Sequence, residues 1–105
     1  MPTQPALESE FHAAMIQIYK DAKEEGYTAS AFLNTVYEHG GLAAAKRWIH
    51  DPAPTEGFLR LWEMDRLDLS VEHLVAFNTK YRELFTLAER LAAKTRYEEY
   101  KRKTA

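Results

Sequence analysis

Four histidines, a set of carboxylates in mid-chain and a basic C-terminal segment are the side chains with chemistry to offer. Three of the histidines sit beside an acid: His39 follows Glu38, His50 precedes Asp51, and His73 follows Glu72. Such pairs suggest metal ligation or acid/base work, but neighbours on a helix point about 100° apart and do not converge on one ion. The ligand pair of a zinc-binding helix stands at i and i+4, as in H-E-x-x-H, a pattern this chain lacks. The histidines therefore read as surface or helix-end residues. His39 and His50 fall in last turns, where an imidazole complements the carbonyl end of the helix dipole. A site made of His39, His50 and an acid such as Asp65 would need long-range convergence that spacing does not reveal.

The acids Glu63, Asp65, Asp68 and Glu72 surround Arg66, and in a connector such charges are solvated or cap a helix rather than perform catalysis. Neither G-x-S-x-G nor G-x-x-x-x-G-K occurs, and Gly40-Gly41 lacks the lysine, third glycine and preceding strand of a phosphate loop, so it reads as a helix stop. The absence of cysteine removes disulfides, thiolate metal sites and a thiol nucleophile together. The reading is a non-enzyme, with no catalytic residue, no cofactor and no metal.

The last sixteen residues hold six basic side chains against Glu98 and Glu99, although the whole chain carries a net charge of −2. Lys94, Arg96, Tyr97, Tyr100, Lys101, Arg102 and Lys103 combine cations with aromatic rings, the ingredients of phosphate contact and base stacking. They form the candidate surface for nucleic acid or a partner. Against that stand the two glutamates and a pI near 6.1, and a solvated last helix with lysines at its negative end is the ordinary explanation of the charge. The segment has no bulky apolar face for a membrane to take up.

The elements that must position these groups follow from apolar spacing. Leu7, Phe11, Met15, Ile18 and Ala22 line one face of a helix, with Glu8 and Glu10 in its first turn and Gly26 as a left-handed stop. Thr28 or Ser30 caps a second helix carrying Phe32, Leu33, Val36 and Tyr37, ended by Gly40-Gly41. Leu42 to His50 forms a third, stopped by Asp51-Pro52-Ala53-Pro54. Thr55 caps a short fourth through Phe58, Leu61 and Trp62. Met64 to Leu69 alternates like a strand but has no partner strand, so it reads as a connector. Ser70 starts a fifth helix ending near Asn78, with Leu69 and Leu74 as a hydrophobic staple, and Tyr81 to Phe85 leads to a capping box at Thr86-Leu87-Ala88-Glu89. The last helix is expected to pack Leu87, Ala88, Leu91, Ala92 and Thr95 on the core and to fray from Tyr97 onwards.

Trp48, Trp62, Phe58 and Phe32 sit on apolar stripes and read as core, whereas Leu59 and Phe77 fit less well and leave room for a modest exposed patch. The stretch from Phe11 to Glu89 resembles a family of small bacterial hypothetical proteins. The residues that carry it include Gly26-Tyr27, Glu38-His39-Gly40-Gly41, Gly57-Phe58, Arg66-Leu67-Asp68-Leu69-Ser70-Val71-Glu72 and Leu84-Phe85-Thr86. The resemblance implies a compact helical fold and brings no activity, cofactor or catalytic residue with it.

With 46% hydrophobic residues in 105, no secretory signal and no apolar run long enough to span a bilayer, the chain reads as one cytoplasmic domain over residues 1–105. Residues 1–6 are a disordered lead-in, and 97–105 a frayed basic tail. The fold expected is all-α, a compact bundle of five or six short helices without sheet. The role expected is a protein-interaction or self-associating module, a homo-oligomer or the companion of another protein, with accessory nucleic-acid binding through the basic segment as the alternative.

Overall fold

A computed structural model describes residues 4–103 of the chain. Helix α1 runs Gln4–Glu24, α2 Ser30–His39, α3 Gly41–His50, α4 Glu56–Glu63, α5 Val71–Phe77 and α6 Leu87–Lys101. Two 3-10 helices, Leu67–Leu69 of one turn and Thr79–Leu84 of two, occupy the segments read as connectors, so the helices outnumber the five or six expected. No strand occurs among the described residues. The radius of gyration is 12.9 Å, the value of about 13 Å that a folded domain of this length should have. No helix among the described residues is long and apolar enough to cross a membrane.

Local chemistry explains most boundaries. Helix α1 closes with a Schellman pair, Tyr27 N–H to the Ala22 carbonyl at 2.9 Å and Gly26 N–H to the Lys23 carbonyl at 3.0 Å, with Gly26 at φ 99°. Helix α4 closes the same way through Arg66 N–H to Leu61 and Asp65 N–H to Trp62, but the left-handed residue is Asp65, at φ 58°. Aspartate is among the few residues that tolerate this region, which is why the turn carries no glycine as a signal. Thr55 and Ser70 cap α4 and α5 by accepting from Phe58 N–H at 3.0 Å and His73 N–H at 3.1 Å.

Two start signals fail. Helix α1 is already formed at Gln4, which puts Glu8 and Glu10 beyond its first turn and makes residues 4–6 of the expected lead-in helical; residues 1–3 lie outside the described residues. Helix α2 begins behind Ala29, and no side chain caps it, neither Thr28 nor Ser30.

The main core gathers the inward stripe of α1 (Leu7, Phe11, Met15) with Val36, Ala44, Ala45, Ile49, Val71 and Val75. Phe11 is fully buried and meets the rings of Tyr81 and Phe85 edge-on at 5.2 and 5.3 Å. A second, smaller core joins Ala22, Phe58, Leu61 and Leu67, with Trp62 and Tyr100 packed on it. Of the four large aromatics read as core, Phe58 is buried, while Phe32, Trp48 and Trp62 are half-buried.

The glycine pair does more than stop a helix. Gly40, at φ 87°, is the single residue between α2 and α3, and Gly41 then lies against α1, its N–H donating to Nδ1 of His12 at 2.9 Å. A Cβ on Gly41 would stand 2.7 Å from the His12 Cα, and backbone cannot yield to it. Gly41→Ala is expected to cost about 1–3 kcal/mol as an overpacked helix contact, measured by urea unfolding.

Candidate functional site

Helix α6 is fixed by two buried charges that it receives or supplies. At its start the capping box is complete: Thr86 Oγ1 accepts from Glu89 N–H at 3.1 Å and the Glu89 carboxylate accepts from Thr86 N–H at 2.8 Å. The same carboxylate reaches across to α3, with Lys46 Nζ 2.9 Å from Oε1 and His50 Nε2 2.7 Å from Oε2. Two turns further on, Arg96 donates through Nη1 to Glu72 Oε2 of α5 at 3.1 Å and to the Trp48 carbonyl at 3.2 Å, and through Nη2 to the Asp51 carbonyl. One guanidinium thereby neutralises a buried acid and takes up carbonyls at the end of α3. The Glu89, Glu72 and Arg96 side chains are only 5%, 3% and 14% exposed.

The two buried glutamates are compensated unequally. Burial pushes the Glu89 carboxyl up, but the Thr86 N–H, Lys46 and His50 outweigh it and hold it down at about 2. At Glu72 burial dominates: its own backbone N–H and Arg96 pull the other way, and the carboxyl still stands above its ordinary value.

Because a helix buries one stripe, these anchors decide what α6 shows to solvent. Glu89, Ala93, Arg96 and Tyr100 face inward. The opposite side carries Leu87, 61% exposed, and Leu91, 51% exposed, with Ala88, Ala92 and Thr95 also exposed. This reverses the expectation that those five residues pack on the core. The buried stripe is the polar one, because its charges find partners on α3 and α5 while the leucines find nothing on that side. The exposed patch anticipated at Leu59 and Phe77 is thus mainly elsewhere: Leu59 is half-buried, and Phe77, 41% exposed, packs with His73 and Tyr97 at 5.0 and 5.1 Å.

The basic segment is divided between fold and solvent. Tyr97 joins His73 at 5.2 Å, and Tyr100 packs edge-on against Phe58 and Trp62 while its carbonyl accepts from Trp62 Nε1 at 3.0 Å. Lys101 and Lys103 lie 3.9 Å from Asp65 and Glu99, and Lys94 and Arg102 are exposed. Helical hydrogen bonding continues to Lys101, past the point where fraying was expected.

The acidic cluster disperses. Arg66 clamps Asp68 at 3.1 and 3.2 Å and pairs with Glu25, Asp65 turns toward Lys101, and Glu72 is buried with Arg96. The histidines separate too, with His12 on Gly41, His39 beside Glu38 and Arg47, His50 on Glu89 and His73 among aromatic rings. Among the described residues no three His, Asp or Glu side chains come together to hold a metal ion.

Sequence reasoning missed Glu89, Lys46 and His50 as one cluster and Leu87 and Leu91 as a surface. The available signal was the spacing of Glu89, Ala93 and Arg96, which share a helix face at i, i+4 and i+7.

Glu89 makes stability pH-dependent with a definite sign. Its folded pKa lies below the ordinary 4.5, so its contribution, about 3 kcal/mol, is present above pH 4.5 and is lost as pH falls toward 2. Glu72, raised in the fold, works in the opposite sense and softens that loss. Urea unfolding across this range is expected to show an acid decline that Glu89→Gln flattens, with Glu89→Gln already weaker at neutral pH by about 2–4 kcal/mol.

Against known proteins, no family model, no curated protein and no solved structure matches the chain.

Proposed function

We propose that the chain works in the cytoplasm as a non-enzymatic helical module that associates with a second copy of itself through the outward face of α6. The observation that carries this reading is the reversed orientation of α6, which leaves Leu87 and Leu91 on the surface, flanked by Ala88 and Ala92. Placing leucine in water forgoes burial free energy that so small a domain needs, and a contiguous apolar strip is the mark of a contact surface.

A second copy suits the strip because it is self-complementary. In an antiparallel pair about a twofold axis at Leu91, that residue meets its counterpart, Leu87 meets Thr95, and the alanines let the helix axes approach to roughly 8–10 Å. The non-enzymatic part of the reading rests on the perturbed carboxylates, the usual marks of catalysis, since both Glu89 and Glu72 are engaged by structural cations. Nucleic-acid contact is less favoured because Arg96, Tyr97 and Tyr100 of the basic segment are built into the fold.

One helix face is smaller than the roughly 800 Å² per partner of a standard interface, so the dimer is expected to be weak and concentration-dependent. Sedimentation velocity from about 10 µM to 1 mM, the range of weak dissociation constants, should show mass rising toward a dimer. Leu91→Glu should hold it at the monomer without lowering the unfolding temperature. A monomer at every concentration, or a dimer indifferent to Leu91→Glu, overturns the proposal.

A further inference from the structure

A cleft of about 170 Å³ opens between α2, α3 and α4, and no α6 residue lines it, so it is separate from the proposed self-association face. Phe32 and Trp48 wall it as a stacked pair, ring centroids 5.0 Å apart and planes 18° apart, and both are only half-buried. Tyr27, Thr55 and Gly57 line it too.

Two hydroxyl groups meet over Gly57. A Cβ on that glycine would find Tyr27 Oη at 3.7 Å and Thr55 Oγ1 at 3.9 Å and, beyond its chain neighbours and own helix, nothing else within 4 Å. Both oxygens therefore flank the same open space. Thr55 Oγ1 accepts from Phe58 N–H at 3.0 Å as the cap of α4, which leaves its own hydrogen to give. Tyr27 Oη makes no hydrogen bond among the described residues, and neither hydroxyl donates to any of them. The third hydroxyl of the cleft, on Thr35, is spent on the Ala31 carbonyl at 3.0 Å.

We propose that this cleft binds a small uncharged aromatic carbonyl compound, its ring against the Phe32–Trp48 pair and its carbonyl oxygen accepting from the Tyr27 and Thr55 hydroxyls. A carbonyl oxygen has two lone pairs and no proton, so it answers two hydroxyl donors at once. A ring beside it gains from aromatic walls beyond the area it buries. The size agrees, since an apolar cavity of about 150 Å³ takes benzene. Charge narrows the class further. Among the described residues Glu56 is the charged side chain lining the cleft, which disfavours an anion, and its exposure makes it a weak anchor for a cation.

Gly57 points the same way. It lies in the first turn of α4, where glycine lowers helix stability relative to alanine, and its φ is not in the left-handed region. The contacts a Cβ would make there are ordinary ones, so neither backbone nor close packing requires glycine. What its bareness keeps open is the approach to the two hydroxyls.

The test is a titration of the ¹⁵N-labelled full chain with acetophenone, followed at the Trp48 indole and the Gly57 amide. Parallel titrations use cyclohexyl methyl ketone, which keeps the carbonyl without the aromatic ring, and benzoate, which keeps the ring and adds a charge. Acetophenone is expected to shift both signals saturably, with a dissociation constant of roughly a millimolar, as suits a ligand of that size. The cyclohexyl ketone should bind about two- to tenfold more weakly, the worth of an aromatic contact, and benzoate should not reach saturation. Tyr27→Phe, which removes an unpartnered hydroxyl and keeps the ring, should weaken acetophenone about two- to tenfold, the worth of one neutral hydrogen bond, at an unchanged unfolding temperature. Gly57→Ala should weaken it at least as much without lowering the unfolding temperature. No saturable shift with acetophenone, equally tight binding of the cyclohexyl ketone or benzoate, or undiminished binding by either variant overturns the proposal.

Discussion

The Glu89 carboxylate sets the phase of the last helix, and much of the molecule's surface follows from it. Two constraints that arise separately meet on this one group. The helix needs its first N–H donors satisfied, which Thr86 and Glu89 do for each other. Lys46 finds a counter-charge and His50 a hydrogen-bond partner across from α3, and the same two oxygens supply both. A cap alone would fix where α6 begins without fixing which side it turns inward. The link to α3 does that, and Arg96 repeats it two turns later by binding Glu72 and the carbonyls at the end of α3. Rotating α6 to bury Leu87 and Leu91 would strand the Glu89 cluster and the Arg96 pair. Stranding both buried charges costs about 3–5 kcal/mol each, against about 3–6 kcal/mol for burying the two leucines together.

How far the sequence was legible depends on the range of the interaction. Local signals were readable: the Thr55 and Ser70 caps, the Thr86 box, the Gly26 stop and the α1 stripe are all present as spacing implied. They depend on residues three to five apart, and their physics is the same in any fold. Where the local signal was ambiguous it misled. Asp65 takes a left-handed turn with no glycine to mark it, and Ala29 begins a helix with no hydroxyl acceptor. The orientation of α6 was not readable by hydrophobicity, because an apolar and a polar stripe competed for the inside. The outcome depended on partners some forty residues away, Lys46 and His50, which periodicity does not see.

The candidate sites divide in the same way. The basic segment looked uniform because composition counts side chains without asking which way they point. In the fold its members alternate between structure and solvent with the helical repeat, so that Arg96 is an internal strut while Lys94, two residues earlier, is exposed. The acidic cluster around Arg66 looked like one feature for the same reason, and it contains both the exposed Asp68 and the buried Glu72. Glu72 was singled out as a neighbour of His73 and as a member of that cluster, yet its burial is what distinguishes it.

A domain of this size has little apolar surface to spare, and where it leaves some unused the distribution carries information. The main core is filled by residues with almost no exposure, such as Phe11, Met15 and Val36. Beside the exposed rings of Tyr37 and Phe77, two departures stand out: the outward leucines of α6, and the cleft beside Gly57. They differ in kind. The first is a convex strip that only another surface can cover, because its exposed groups lie along a helix with nothing above them. The second is a concave space walled by the rings of Tyr27, Phe32 and Trp48. The first follows from a buried carboxylate, since Glu89, with three donors on its oxygens, holds α6 with its leucines outward. One carboxylate therefore connects the packing of this fold to the surface that α6 offers.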